Sequence, residues 1–358
     1  MRHFVFVVFC WTAFAQPAKT KNVIFVMTDG LRWQEVFAGA DASLMNKEDG
    51  SVKDVPALQK VYWRESGQAR REVLMPFLWS VIARRGQIYG NRLLGSEAFV
   101  TNGRNFSYPG YSETFCGFAD DRIDSNDKTP NPNVTVFEWL HQKPAFRGKV
   151  AAFGAWDVFP YIFNQERAGF PVNAGWEPFK AARITPLQEA VNVMKAQLPR
   201  VWEDEPFDAL PYLSAVDYLK TNKPRVLYLS LGETDDWAHD RNYRLYLDAA
   251  RRVDDYLKSL WETAQAMPEY RGSTTLIVST DHGRGSTAAT FKSHGKDVAE
   301  SKDMWMAFLG PDTKPLGERA RVAPVQQNQI AATLAALLGE NYSMAQPKAG
   351  KPVRDVLP

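Results

Sequence analysis

Val23-Ile24-Phe25-Val26-Met27-Thr28-Asp29-Gly30 is the stretch on which the fold turns. Its first five residues are apolar and β-favouring without alternation, the pattern of a strand buried on both faces of a parallel sheet, and the run ends in a turn that carries a carboxylate. The same grammar recurs twice. Arg225 to Ser230 leads into Glu233-Thr234-Asp235, and Thr274 to Thr280 leads into Asp281-His282-Gly283. Three strands that each deliver an acid at the carboxyl end predict a mostly parallel α/β sheet whose ligand site lies on that edge.

Helical patterns alternate with the strands and predict helices on both faces. Pro76 to Arg85 opens on proline and stops before Gly86. From Tyr243 to Ala264 apolar residues recur every three or four positions, with Arg244, Asp248, Arg251, Asp255 and Lys258 opposite. Gln326 to Leu338 is closed by Gly339. Residues 40–72 are polar and weakly periodic, which predicts a surface loop or short insertion. Between 118 and 222, clusters such as Asn126-Asp127-Lys128-Thr129-Pro130 mix with aromatic runs such as Trp156-Asp157-Val158-Phe159, which predicts a segment that is partly core and partly an inserted cap. The division expected is a signal peptide over 1–15, a discontinuous core of 16–117 and 223–345, and that inserted segment.

Composition narrows the function. A chain of 358 residues with 45% hydrophobic content suits one large α/β domain with an insertion, or two domains sharing a cleft. A net charge of +2 with both signs interspersed argues against duplex nucleic acid or an anionic membrane as partner and leaves small molecules. Met1, Arg2 and His3 precede an apolar stretch to Phe14 and then Ala15-Gln16, the layout of a secretory signal peptide. No later segment approaches the roughly 20 apolar residues that a membrane span requires. An exported protein, periplasmic or secreted, is expected. Cys10 would leave with the signal, and the residues before it lack the small side chains of a lipoprotein site. Cys116 then remains alone and reads as a small core residue. Nothing in the pattern speaks to oligomeric state.

Asp29, Asp235 with His239, Asp281 with His282, and His294 combine carboxylate oxygen with imidazole nitrogen. That donor set suits two divalent ions, zinc first and manganese second, better than calcium. Asp235 and His239 alone, four apart on a helical turn, would be a surface pair. Ser107 stands two residues before Pro109 and so belongs at a helix start, where free N–H groups favour an anion. Alone it would be an ordinary N-cap. His141 reads as a surface residue, and Arg104, Asn105, Trp156 and Asp157 read as structural, with the substrate pocket as their other possible place.

With these residues in view, the chain resembles the alkaline phosphatase superfamily, and its nucleotide pyrophosphatase/phosphodiesterase branch in particular. Ser107 to Gly117 has the length of the branch's Thr-Phe-Pro-Asn-His nucleophile segment, with Pro109 and Gly117 in register. Glu233-Thr234-Asp235-Asp236-Trp237-Ala238-His239 is similar to its Glu-Pro-Asp-x-x-Gly-His, Ser279 to Gly283 to its Ser-Asp-His-Gly, and Ser293-His294-Gly295 to the segment of its last histidine. The resemblance covers 21–117 and 223–340. It implies Ser107 as nucleophile, one ion on Asp235, His239 and His294, and a second on Asp29, Asp281, His282 and the Ser107 oxygen. It also implies Asn126 as holder of a phosphoryl oxygen, once two residues are deleted. Serine replaces the usual threonine and Gly110-Tyr111 replaces Asn-His. Tyr111 stands where a sulfatase needs arginine. The implied activity is hydrolysis of phosphate monoesters or diesters through a phosphoserine. The alternatives are a phosphoryl or phosphoethanolamine transferase, a sulfatase-like hydrolase, or a metal- or phosphate-binding protein with a degraded site.

Overall fold

A computed structural model describes residues 19–180 and 183–358. The signal-peptide reading of 1–15, with Cys10, falls outside the described residues. Among the described residues ten strands form: β1 (Asn22–Thr28), β2 (Gln87–Tyr89), β3 (Ala98–Phe99), β4 (Val150–Gly154), β5 (Val172–Ala174), β6 (Val226–Leu231), β7 (Thr274–Thr280), β8 (Met306–Leu309), β9 (Gly317–Glu318) and β10 (Val325–Gln326). Eight make one sheet in the order β5-β4-β6-β1-β7-β8-β2-β9, while β3 and β10 pair separately. All pairings in the large sheet are parallel except those of β8 with β7 and β2. The α/β architecture with a mostly parallel central sheet follows the expectation, and β4 and β5 come from the 118–222 segment.

The unbroken apolar runs acquire a direct cause. Ile24 and Val26 of β1 enter one hydrophobic cluster, whereas Val23, Phe25 and Met27 enter another on the opposite face. With both faces covered, a polar strand residue without a partner is costly. The first cluster receives Leu247, Ala250, Val253, Leu257 and Leu260 of the helix Tyr243–Ala266. The second receives Tyr111 and Phe115 of the helix Ser107–Cys116, Phe137 and Leu140 of Val136–Gln142, and Ile330 and Leu334 of Ile330–Leu337. Phe115 stacks on Phe163 at 4.7 Å and meets Tyr228 edge-on at 4.9 Å, so the Ser107 helix rests on a packed aromatic floor.

Three local readings need correction. Residues 40–72 are not a plain loop. They hold the helices Lys47–Gly50, Val55–Tyr62 and Gly67–Leu74, started by Asn46, Asp54 and Ser66, whose side chains accept from Asp49, Ala57 and Ala69 N–H. Segments of four to eight residues show too few turns for a period to register, yet they bury Leu58, Tyr62 and Leu74. The helix over 76–85 carries a π turn at Leu78–Ile82, and Asp254 caps it through Phe77 and Leu78 N–H at 2.7 and 2.8 Å. The helix read over Gln326–Leu338 starts later, at Ile330, after a 3-10 turn over Gln327–Gln329, and a further short helix, Tyr342–Ala345, follows it.

Gly110 marks how tightly the Ser107 helix is pressed onto the sheet edge. A Cβ there would lie 2.6 Å from the Asp281 carbonyl oxygen, a contact that neither backbone can relieve without moving apart. Gly110→Ala should cost about 1–3 kcal/mol through overpacking. Thermal unfolding followed by circular dichroism should show a midpoint a few degrees lower, and an unchanged midpoint would show that the helix is free to retreat.

Candidate active site at the sheet edge

The strand register brings the acids level. Thr28 pairs with Leu231 on one side and with Thr280 on the other, so Asp29, Gly232 and Asp281 leave their strands side by side. Asp29 N–H donates to Leu231 O at 2.8 Å, and the Thr234 hydroxyl donates to Asp29 O. Gly30 N–H donates to Asp281 Oδ1 at 3.0 Å. Gly30 has φ 58, and a Cβ there would sit 2.4 Å from Asp235 Oδ1. Only glycine both tolerates that backbone and leaves room for the second carboxylate.

The histidines complete two clusters. Asp29, Asp281 and His282 bring ligand atoms within 4.8 Å of one another, as do Asp235, His282 and His294. His239, on the helix Glu233–His239, stands against the second cluster: its Nε2 is 3.0 Å from both Asp235 Oδ2 and His294 Nε2. All six side chains expected from the sequence therefore meet, although His282 faces both clusters, lying 3.3 Å from Asp29 Oδ1 and Asp281 Oδ2 and 4.0 Å from Asp235 Oδ1.

Two features fit these groups to metal ions. His282 Nδ1 lies 2.8 Å from Gly283 O and His294 Nδ1 lies 3.2 Å from Asn105 O. A carbonyl only accepts, so both Nδ1 atoms carry hydrogen, and Nε2 is the nitrogen each ring can offer to an ion once it gives up any proton there. Asp29 Oδ1 and Asp281 Oδ2, both buried, have no hydrogen-bond partner. Buried oxygens without donors, beside imidazole nitrogens, call for cations. Protonation follows the same logic. Burial, then the charge of Asp29, pushes the Asp281 carboxyl well above its ordinary value. Burial opposes a charge on His282, but Asp281, Asp29 and Asp235 outweigh it and raise the ring to about 9. Burial and then His282 press His294 well down.

Ser107 is the first residue of its helix, with Phe106 as N-cap and no side-chain cap. It is not itself the N-cap, which leaves the hydroxyl uncommitted to the backbone. Its Oγ lies 3.4 Å from His282 Nε2. Asn126 accepts from Tyr108 N–H at 3.0 Å through Oδ1, and it lines the same cavity as Ser107. Tyr111, one turn on, donates to Asp29 Oδ2 at 3.0 Å.

The cavity holds about 330 Å³ and is lined by Asp29, Ser107, Asn126, Asp235, His239 and His294. Lys128, Trp156, Asp157, Val158, Asp204, Glu205 and Asp236 complete its lining. Trp156 and Asp157 thus face the cavity while also serving structure: Trp156 Nε1–H donates to Asp204 at 3.0 Å and Lys128 pairs with Asp157 at 2.6 Å. Burial, then Asp236, drives the Glu205 carboxyl well up, and burial, then Asp235, raises Asp236 to about 9. The sequence reading missed Glu205, Asp236, Lys128 and Tyr111; only Asp236, beside Asp235, offered a signal. It also missed Arg284, wholly buried and bonded to Asp235. Cys116 is a core residue, and His141 is half-buried near the Phe170 ring, not on the open surface.

No individually curated protein matches this chain. Its fold is similar to that of wild-type alkaline phosphatase PafA, with TM-score 0.60 and 11% identity over 96% of this chain and 100% of that one. It is also similar to the lipoteichoic acid synthase LtaP from Listeria monocytogenes, with TM-score 0.57 and 11% identity over 90% and 73%. A putative sulfatase from Bacteroides thetaiotaomicron gives 0.53 and 14% over 94% and 72%. At such identities the likeness concerns the fold, which is alkaline phosphatase-like. Residues 41–341 match the family model of type I phosphodiesterase / nucleotide pyrophosphatase, and by that match, which takes in most of its length, the chain belongs to this family.

Proposed function

We propose that the protein is an exported hydrolase of phosphodiesters that works through a phosphoserine at Ser107. The observation that carries the reading is the Ser107 hydroxyl at a helix start, 3.4 Å from His282 and beside two clusters of carboxylate and imidazole on one cavity. Ser107 Oγ attacks phosphorus in line, the bond to the leaving oxygen breaks, and an alcohol departs. Water then attacks the phosphoserine from the vacated side, releasing a monoester and restoring Ser107. With Tyr108 N–H bonded to Asn126 Oδ1, no N–H on Pro109 and Gly110 N–H bonded to Phe106 O, the Ser107 N–H and the Asn126 side-chain N–H groups hold phosphoryl oxygens. Two divalent ions, zinc before manganese, on Asp235, His239 and His294 and on Asp29, Asp281 and His282 would neutralise charge on the leaving oxygen and ease ionisation of the hydroxyl and the water.

The scarcity of free cationic groups around the cavity supports a diester over a monoester. A monoester brings a second negative charge, and Lys128, the one cationic side chain among the described lining residues apart from the histidines, is already taken by Asp157. Asp204, Glu205 and Asp236 have no ion-pair partner among the described residues. A nucleoside triphosphate fares worse for the same reason. Export rests on the pattern over 1–15, and an intact mass beginning after Ala15 for protein recovered outside the cytoplasm tests it.

Zinc-loaded protein should hydrolyse bis-(4-nitrophenyl) phosphate at least about tenfold better in kcat/KM than 4-nitrophenyl phosphate, a difference of roughly 1.4 kcal/mol, and better than ATP. Equal or reversed preference would remove the diester reading. Ser107→Ala should keep two equivalents of metal by elemental analysis while turnover drops by roughly 10³-fold or more; a variant that stays active excludes Ser107 as nucleophile. Asn126→Ala should lower kcat by about 10²–10³, the usual loss of one oxyanion donor, with metal content unchanged.

A further inference from the structure

Arg284 follows Asp281-His282-Gly283 directly and is 1% exposed, an unusual depth for a guanidinium. Every nitrogen is committed. Nε–H donates to Phe291 O at 2.9 Å, Nη2 donates to Lys292 O at 2.6 Å, and Nη1 donates to Asp235 Oδ1. The first two bonds hold the loop that carries His294, two residues beyond Lys292. The third holds the helix that carries Asp235 and His239. The loop after β1 is fitted to the same contact, since a Cβ at Gly30 would strike both Asp235 Oδ1 and Arg284 Nη1.

The consequence for Asp235 is a choice of oxygen. Arg284 takes Oδ1, while Oδ2 stands 3.0 Å from His239 Nε2. From this geometry we propose that Arg284 is the positioning residue of the outer ion site: it fixes the Asp235 rotamer and ties the His294 loop to the Asp235–His239 helix, so the three ligands are assembled before any ion arrives. It touches no reacting atom. A ligand set held in place binds with less ordering cost than one that must be gathered. Asp29, Asp281 and His282 make no hydrogen bond to Arg284, so the inner site is outside its reach.

The inference rests on the two-ion reading, and zinc titration of metal-free protein separates the two. Wild type should take up two equivalents in distinguishable steps. Arg284→Met should weaken the outer step at least tenfold, leave the inner step in place, and regain turnover of bis-(4-nitrophenyl) phosphate when zinc is raised in proportion. Arg284→Lys keeps the charge and is the milder change; a single ammonium cannot reach both loop carbonyls and Asp235 at once, so it should show the same weakening in smaller degree. If Arg284→Met does not fold, the lysine variant decides alone. A role confined to packing would lower the unfolding midpoint of metal-free protein and leave both zinc affinities unchanged, which would overturn the proposal, as would tighter outer binding in either variant. A wild type that binds no zinc would overturn both this proposal and the two-ion reading, whereas two zinc sites with no turnover would sink only the proposed activity.

Discussion

The pairing of β1 with β6 on one side and β7 on the other is the constraint on which the site depends. Because Thr28 is level with both Leu231 and Thr280, the next residue of each strand leaves the sheet at one height, and three separated segments reach one spot without any loop having to be long. A slip of one residue in either pairing would turn the apolar runs inside out and shift the acids by about 3.3 Å, more than a metal–oxygen bond length. Burial on both faces makes such a slip expensive. The site inherits its accuracy from the hydrophobic core, with Ile24 and Val26 pinned on one side and Val23, Phe25 and Met27 on the other.

Charge is the second theme. Asp29, Asp235 and Asp281 converge where water is largely excluded, an arrangement no chain would tolerate without compensation. The protein supplies part of it itself. Arg284 answers Asp235, Tyr111 donates to Asp29, Gly30 N–H donates to Asp281, and His282 is pushed up by all three carboxylates. What remains unanswered, Asp29 Oδ1 and Asp281 Oδ2, faces inward beside the Ser107 hydroxyl. The deficit is concentrated where divalent ions would serve catalysis, while the outer carboxylate is kept in shape by a fixed arginine.

How much of this could be read from the chain follows from the range of the interactions. Val23–Met27 and Thr274–Thr280 declare themselves because complete burial of a strand leaves a continuous apolar record, and the acids after them stand at the place where parallel sheets bind ligands. The Tyr243–Ala266 helix is equally plain, with six turns of period behind it. The helices within 40–72 are not, since their order comes from single caps and one or two buried side chains each. Glu205 lies in an irregular stretch about thirty residues from Asp235, and only the folded chain sets it on the cavity wall. Arg284 was adjacent to a recognised motif, yet its role depends on carbonyls seven and eight residues ahead, which no pattern of side chains encodes.

The placement of Ser107 joins these themes. A helix that starts at the proposed nucleophile must approach the edge closely enough for a hydroxyl to reach His282, and Gly110 permits that approach by pressing bare backbone against the Asp281 carbonyl. Tyr111, the next residue, turns the same contact to use by donating to Asp29 from below while its ring meets Phe159 at 4.8 Å. Where the family motif carries Asn-His, this chain has traded side-chain polarity at one position for proximity and at the other for a buried donor. The floor of the site is therefore apolar and rigid, and its chemistry is confined to the rim formed by the strand ends. On the proposed reading, discrimination among esters is left to Lys128, Trp156, Asp157, Asp204, Glu205 and Asp236, which line the same cavity and stand outside the two ligand clusters.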